Sequence, residues 1–174
     1  MIDLKAKIRN VPDFPKPGIG FKDITTLLKD PQAFHEAIDR LAAHFAGRDI
    51  DVVVGIESRG FLLGGALAYK WKIGLVPVRK PGKLPAATFS ETYELEYGTD
   101  TLEIHKDAIQ PGQKVLLIDD LLATGGTLKA AAGLVEKCGG RVIGIGCLIE
   151  LTFLNGLEKL QNYDFYSLIQ FDSE

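Results

Sequence analysis

Cysteine is scarce in this sequence: its 174 residues hold only Cys138 and Cys147. Two cysteines cannot build a disulfide framework, and this pair lacks zinc-type spacing, so both are read as inert core thiols. The three histidines, His35, His44 and His105, have no partner at metal-ligand or triad spacing and are read as structural. No run reaches the roughly 18 apolar residues that a membrane span needs. The first residues, MIDLKAKIRN, lack the apolar stretch of a secretion signal. A strong charge of either sign is missing too: the formal net charge of −3 leaves no electrostatic footprint for nucleic acid or an anionic membrane. Neither is expected as a partner, and the expected compartment is the cytoplasm.

Familiar catalytic loops are also absent. A Walker loop ends in Gly-Lys-Ser/Thr, whereas the nearest match, Gly55–Gly60, continues Phe61-Leu62. Ser58 is no hydrolase elbow, because Ile56 rather than glycine stands two residues before it. No dinucleotide fingerprint appears.

What remains is an ordinary globular balance, 46% hydrophobic and 25% charged, with enough chain for one core. Residues 11–20, VPDFPKPGIG, are too rich in proline and glycine for a regular helix. Asp30-Pro31 reads as an N-cap with proline at N1. Phe34, Ala37, Ile38, Leu41 and Phe45 follow at helical spacing, and Gly47 supplies a stop. Strands are expected at Asp51–Ile56, Leu75–Arg79, Val115–Ile118, Val142–Leu148 and Phe165–Ile169, with helices over Arg59–Lys72 and about Thr127–Lys137. Strands alternating with helices predict an α/β fold: a single domain, 1–174, whose mostly parallel central sheet is flanked by helices. Residues 80–104 interrupt the alternation. A basic, helix-hostile stretch, Lys80–Pro85, leads into a plausible hairpin, Thr92–Tyr97 and Thr101–Ile104 around Gly98-Thr99-Asp100. Excursions of this kind are often lids or binding loops.

The segment Val115–Thr127, VLLIDDLLATGGT, carries the chemistry. A buried strand runs out at Asp119-Asp120, and ligands in open α/β sheets sit beyond the carboxyl ends of strands. Ala123-Thr124-Gly125-Gly126-Thr127 then opens a helix. Two glycines let backbone N–H groups converge, two threonines add hydroxyls, and the helix N-terminus adds partial positive charge. The result is a cup for a phosphate monoester. The acid pair would be misplaced beside a bare phosphate but suits a sugar phosphate. Its carboxylates can accept from ribose hydroxyls or hold Mg2+.

This segment resembles the phosphoribosyl-pyrophosphate motif of the type I phosphoribosyltransferases. Pro12–Thr25 (PDFPKPGIGFKDIT), Gly55–Gly64 (GIESRGFLLG), Val78–Pro85 (VRKPGKLP), Glu94–Ile104 (ELEYGTDTLEI) and Leu148–Leu160 (LIELTFLNGLEKL) extend the resemblance, in order, to the adenine phosphoribosyltransferase family. The resemblance implies a hood segment over residues 1–30, a mobile hairpin lid over 80–104, Mg2+ as cofactor, and a homodimer. It also implies adenine and phosphoribosyl pyrophosphate as substrates, with AMP and pyrophosphate as products of purine salvage. Ala123, Thr124, Gly125, Gly126 and Thr127 would hold the 5-phosphate, and Asp119 and Asp120 the ribose. Glu57 and Ser58 would lie under the pyrophosphate, in a loop where the family often has a cis peptide, with Arg59 near pyrophosphate and base. Lys80 and Lys83 would close over the pyrophosphate. Glu96 matches the carboxylate that handles the adenine proton, beside Tyr97. Ile19, Gly20, Phe21 and Lys22 would form the hood over the base, reading it largely through backbone groups.

Gly20 and Lys22 depart from the family, where many relatives carry a larger residue and an arginine. Two other readings stay open. One changes the base to xanthine, hypoxanthine or orotate; the hood and the LEYG match argue against it. The other is a regulator that senses the donor, but the chain shows neither the basic surface nor the added domain that such regulators usually have.

Overall fold

The fold is described from a computed structural model for residues 2–94 and 98–173. Glu96 and Tyr97 lie outside the described residues. The chain opens with an antiparallel ribbon of β1 (Arg9–Val11) and β2 (Phe21–Asp23), followed by a one-turn helix α1 (Thr25–Leu28). Helix α2 (Pro31–His44) starts as its sequence predicts: the Asp30 carboxylate accepts from the N–H groups of Gln32 and Ala33, and Pro31 occupies the first turn. Then come β3 (Val52–Ile56), α3 (Gly60–Trp71), β4 (Gly74–Val78), the hairpin β5 (Thr88–Glu94) and β6 (Thr99–His105), β7 (Lys114–Leu122), α4 (Gly126–Lys137), β8 (Arg141–Leu151) and β9 (Phe165–Phe171).

Five of these strands form one parallel sheet in the order β4-β3-β7-β8-β9. The strands are apolar because both faces are covered. Val52, Val54 and Ile56 pack with Val115 and Leu117 against α4 and the hairpin. Val53, Leu116 and Ile118 pack with α2 and α3 on the other face. Cys138 and Cys147 are buried free thiols, and burial pushes the Cys147 thiol well above its ordinary range. His44 stacks face to face on Tyr166 with ring centroids 3.7 Å apart, a packing role.

Three expectations need correction. The strand that carries the acids does not stop at Ile118 but runs to Leu122, because its pairing with β8 continues to Leu122↔Glu150. Thr99 and Asp100 belong to β6, not to the turn, since the ladder continues to Glu94↔Thr99. The hairpin is also more than a lid. Leu102 and Ile104 are fully buried in the core, whereas the loop between Lys80 and Ala87 is largely exposed.

The sheet order reverses direction between β3 and β7, a switch point of the kind that binds ligands in doubly wound sheets. The pairing of β3 with β7 ends at Gly55↔Ile118. From Asp119 onward, that edge of β7 borders a cleft.

Candidate functional site

The cleft at the switch point encloses about 300 Å³ and is lined by Glu57, Arg59, Lys80, Tyr93, Asp100, Asp119, Asp120, Ala123, Thr124, Gly125 and Thr127. Asp119 and Asp120 form its floor and are only 7% and 5% exposed. Asp119 Oδ1 accepts from the Asp120 N–H at 2.8 Å. Burial, and then the charge of Asp120, raises the Asp119 carboxyl well above the usual carboxylate range. Burial raises Asp120 too, opposed by the Arg59 guanidinium. Arg59 Nε stands 2.9 Å from Asp120 Oδ2. Its N–H is not aligned on that oxygen, so among the described residues Oδ2 is buried without a hydrogen-bond partner. A buried acceptor left unpaired is costly and suits a ligand donor or a cation.

Among the described residues, no group of three acids, histidines or cysteines can hold a metal ion unaided. The acid pair fits Mg2+ only as one or two ligands among substrate oxygens, which is how magnesium is often held.

The cup rises beside the acids. Gly125, at the start of α4, has φ +80, a left-handed conformation that favours glycine. A Cβ on Gly125 would fall 2.3 Å from the Gly156 carbonyl oxygen, and one on Gly156 would fall 2.0 Å from the Ala123 carbonyl oxygen. The Asn155-Gly156 backbone therefore presses the loop into shape, and both glycines are steric requirements. Gly156 escaped the sequence reading, although it sits in a segment that carries the family resemblance. Among the described residues no side chain caps α4, so its first-turn N–H groups remain as anion donors.

Opposite the cup, the exit of β4 supplies cations. Glu57 directly follows β3, and its Oε2 accepts from the Lys80 backbone N–H at 2.7 Å and from Arg79 Nε at 3.2 Å. Its carboxylate thus ties down the start of the basic loop. Arg79, not singled out from the sequence, belongs to this side; its guanidinium lies 5.8 Å from the Phe61 ring centroid. The Glu57–Ser58 peptide is cis. Lys80 Nζ contacts Asp100 Oδ2 at 2.8 Å. Lys83 is exposed and does not line the cleft.

Tyr93 is a second residue the sequence reading passed over. Thr127 Oγ1 donates to the Tyr93 hydroxyl at 3.3 Å, and that hydroxyl donates to Asp100 Oδ2 at 3.5 Å. A chain of polar contacts thus joins the glycine-rich cup to Lys80. A separate cavity of about 370 Å³ lies behind the cup between the hairpin and α4. Lys129, Lys159, Glu91, Glu94 and Glu136 line it, as does Gly126, which does not line the switch-point cleft.

The hood closes the other end. Phe21 packs edge-on against Phe14 with centroids 5.1 Å apart, and the Arg59 guanidinium lies 5.0 Å from the Phe21 ring centroid. Arg59 thereby bridges the acid pair and the hood. Arg9 and Asp23, paired in register across β1 and β2, lock the ribbon with a 2.5 Å ion pair, and Asp23 is lowered to about 2 by that bond. Ile19 is exposed, with Gly20 beside it at the edge of the ribbon. The Ile19 N–H donates to the Lys16 carbonyl, and its own carbonyl accepts from the Phe14 N–H. These backbone groups are partly committed within the hood. Lys22 lies in the ribbon, where only its backbone was expected to serve the hood. Alternation along β2 sends its side chain away from Phe21 into a buried position, where Nζ donates to Asn10 Oδ1 at 3.0 Å and lies 4.7 Å from the Phe171 ring centroid.

A family model for the phosphoribosyl transferase domain matches residues 24–171. The adenine phosphoribosyltransferase of Chloroflexus aurantiacus is 62% identical over 169 residues, covering 97% of this chain and 98% of that relative. The crystal structure of adenine phosphoribosyltransferase from Thermoanaerobacter pseudethanolicus superposes with a TM-score of 0.95 at 59% identity, over 97% of this chain and 98% of the other. The Saccharomyces cerevisiae enzyme, solved with an imino-altritol bisphosphate and adenine, gives 0.89 at 43% identity over 95% and 96% of the two chains.

Proposed function

The chain belongs to the phosphoribosyltransferase family, in its adenine phosphoribosyltransferase branch, and on that premise we propose that it transfers the 5-phosphoribosyl group of phosphoribosyl pyrophosphate to N9 of adenine, giving AMP and pyrophosphate. The observation that carries this reading is one cleft in which an N–H cup, a buried acid pair and a cationic wall adjoin an aromatic hood. The cup from Ala123 to Thr127 takes the 5-phosphate. Asp119 and Asp120 accept from the ribose hydroxyls, which supply the donor that Asp120 Oδ2 lacks. As the bond from C1 to pyrophosphate breaks, positive charge grows on the ribose and negative charge on the leaving group. The acids oppose the former, while Arg59 and Lys80 oppose the latter. When bound, Mg2+ neutralises pyrophosphate charge alongside these cations. The basic loop that begins at Lys80 closes over the reacting groups and excludes water from an activated donor, with Lys83 arriving on closure.

Glu96 is the proposed acceptor of the adenine proton, with Tyr97 beside it; both assignments rest on the sequence resemblance. Glu96→Ala is expected to lower kcat about 100-fold with donor binding retained. Steady-state kinetics together with donor titration measure both quantities, and full activity in that variant would sink the assignment. Base choice is tested by supplying phosphoribosyl pyrophosphate with adenine, hypoxanthine, guanine, xanthine or orotate. Adenine is expected to dominate, and equal turnover with any other base would refute the reading.

The wider setting proposed is purine salvage in the cytoplasm. Among the described residues, no helix is long and apolar enough to cross a membrane. A homodimer is proposed on the face of α3 and the edge strand β4, where Leu62, Tyr69 and Leu75 are 50%, 88% and 40% exposed. Tyr69→Arg is expected to halve the mass seen by light scattering. A wild-type chain that runs as a monomer would remove the proposal.

A further inference from the structure

We propose that Asp100 is a positioning residue of the transfer reaction: it holds the Lys80 ammonium while the cleft is empty and yields it to pyrophosphate, and so sets how tightly that group is held. This rests on the phosphoribosyl-transfer reading of the cleft. Asp100 projects into the cleft from β6 with its side chain 23% exposed. A carboxylate paired with a cation of the cleft competes with an incoming anion for that cation. The cation is Lys80, with Nζ 2.8 Å from Asp100 Oδ2.

The geometry lets the ammonium move without the backbone moving. The Lys80 N–H is pinned to Glu57 Oε2 at 2.7 Å, whereas its side chain is 55% exposed on a flexible four-carbon stem. Asp100 is also equipped for the lysine's departure. Its Oδ1 accepts from the Thr101 N–H at 2.8 Å, and its Oδ2 receives the Tyr93 hydroxyl at 3.5 Å. That same hydroxyl accepts from Thr127 in the phosphate cup. Asp100 therefore keeps two neutral donors when Nζ turns to the incoming anion, one of them bonded to the cup itself. When pyrophosphate leaves, Nζ returns to the carboxylate.

The test uses the full chain with two probes, magnesium pyrophosphate and AMP, titrated separately. Asp100→Asn is expected to tighten pyrophosphate binding about fivefold, equal to about 1 kcal/mol, the upper range for an exposed ion pair. AMP binding stays within about twofold, because AMP does not compete for Lys80. Asp100→Glu restores wild-type pyrophosphate affinity. In a Lys80→Ala background the same substitution tightens binding by less than about twofold. Unchanged or weaker pyrophosphate binding in Asp100→Asn overturns the proposal, since a purely structural clasp predicts it. Equal tightening with and without Lys80 also overturns it, because Asp100 then merely repels the anion. Failure of the transfer reading is separately visible: the unaltered protein would not convert AMP and pyrophosphate to adenine and donor, and both proposals would fall together.

Discussion

Asp119→Asn is expected to melt at a higher temperature than the unaltered protein at neutral pH and to form AMP about a hundredfold more slowly or worse. Both effects come from one carboxylate. Burial and the neighbouring Asp120 raise the Asp119 carboxyl well above 3.8. The folded chain therefore binds more protons than the unfolded chain from about pH 4 up to that raised value, and stability falls as pH rises through this window. Asparagine has no charge to bury, and its oxygen can still accept from the Asp120 N–H. Each kcal/mol recovered is worth about 2–4 °C in a chain of this size. The gain should be absent near pH 4, grow as pH rises, and level off once Asp119 is ionised in the folded wild type. Thermal melts across pH measure it. A variant that melts lower at neutral pH would contradict the reading that this acid is held at a cost in stability for the sake of the ribose. Wild-type turnover would contradict the placement of the ribose.

Gly156→Ala is expected to damage the phosphate cup from outside the sequence motif. The new methyl would lie 2.0 Å from the Ala123 carbonyl oxygen and clash with the Gly125 N–H side as well. Both neighbours are backbone, so the loop itself must move. Overpacking of this kind costs about 1–3 kcal/mol, and a 1 Å displacement of binding groups can cost about a hundredfold in rate. AMP affinity and kcat/KM should fall together, because product phosphate and donor phosphate share the cup. Gly133→Ala is the control. In the middle of α4, among the described residues and apart from the helix's own backbone, its Cβ would have no neighbour nearer than 3.9 Å. It should stabilise the chain by about 0.5–1 kcal/mol without altering turnover. Normal AMP binding in Gly156→Ala would show that the Asn155-Gly156 backbone does not shape the cup.

Features that one stretch of chain determines locally were legible in the sequence. The valine-rich strands, the Asp30-Pro31 helix start and the glycine-rich turn after the acid pair each depend on adjacent residues. What depends on distant partners was not. The acid-bearing strand runs four residues further than expected because β8 continues to pair with it beyond the end of β3. Gly156 matters because another segment presses on it, and no local pattern encodes that. Lys22 stays in the ribbon where it was expected to contribute backbone groups, and strand alternation, which needs the fold to assign a face, turns its side chain to Asn10 and Phe171. Tyr93 and Arg79 gain significance from hydrogen bonds to Thr127 and Glu57, residues far from them along the chain. Arg59, Lys80 and the acid pair, singled out from the sequence, line one cleft; that Arg59 and Lys80 each stand beside a carboxylate needed coordinates.

The central claim is that one phosphoribosyl group spans the cup, the acid pair and the hood. A crystal structure with AMP bound tests it most directly. The 5-phosphate should receive hydrogen bonds from the backbone N–H groups and hydroxyls of Thr124–Thr127, the ribose hydroxyls should donate to Asp119 and Asp120, and the adenine should lie against Phe21. A phosphate bound elsewhere, or ribose hydroxyls turned away from both carboxylates, would contradict it.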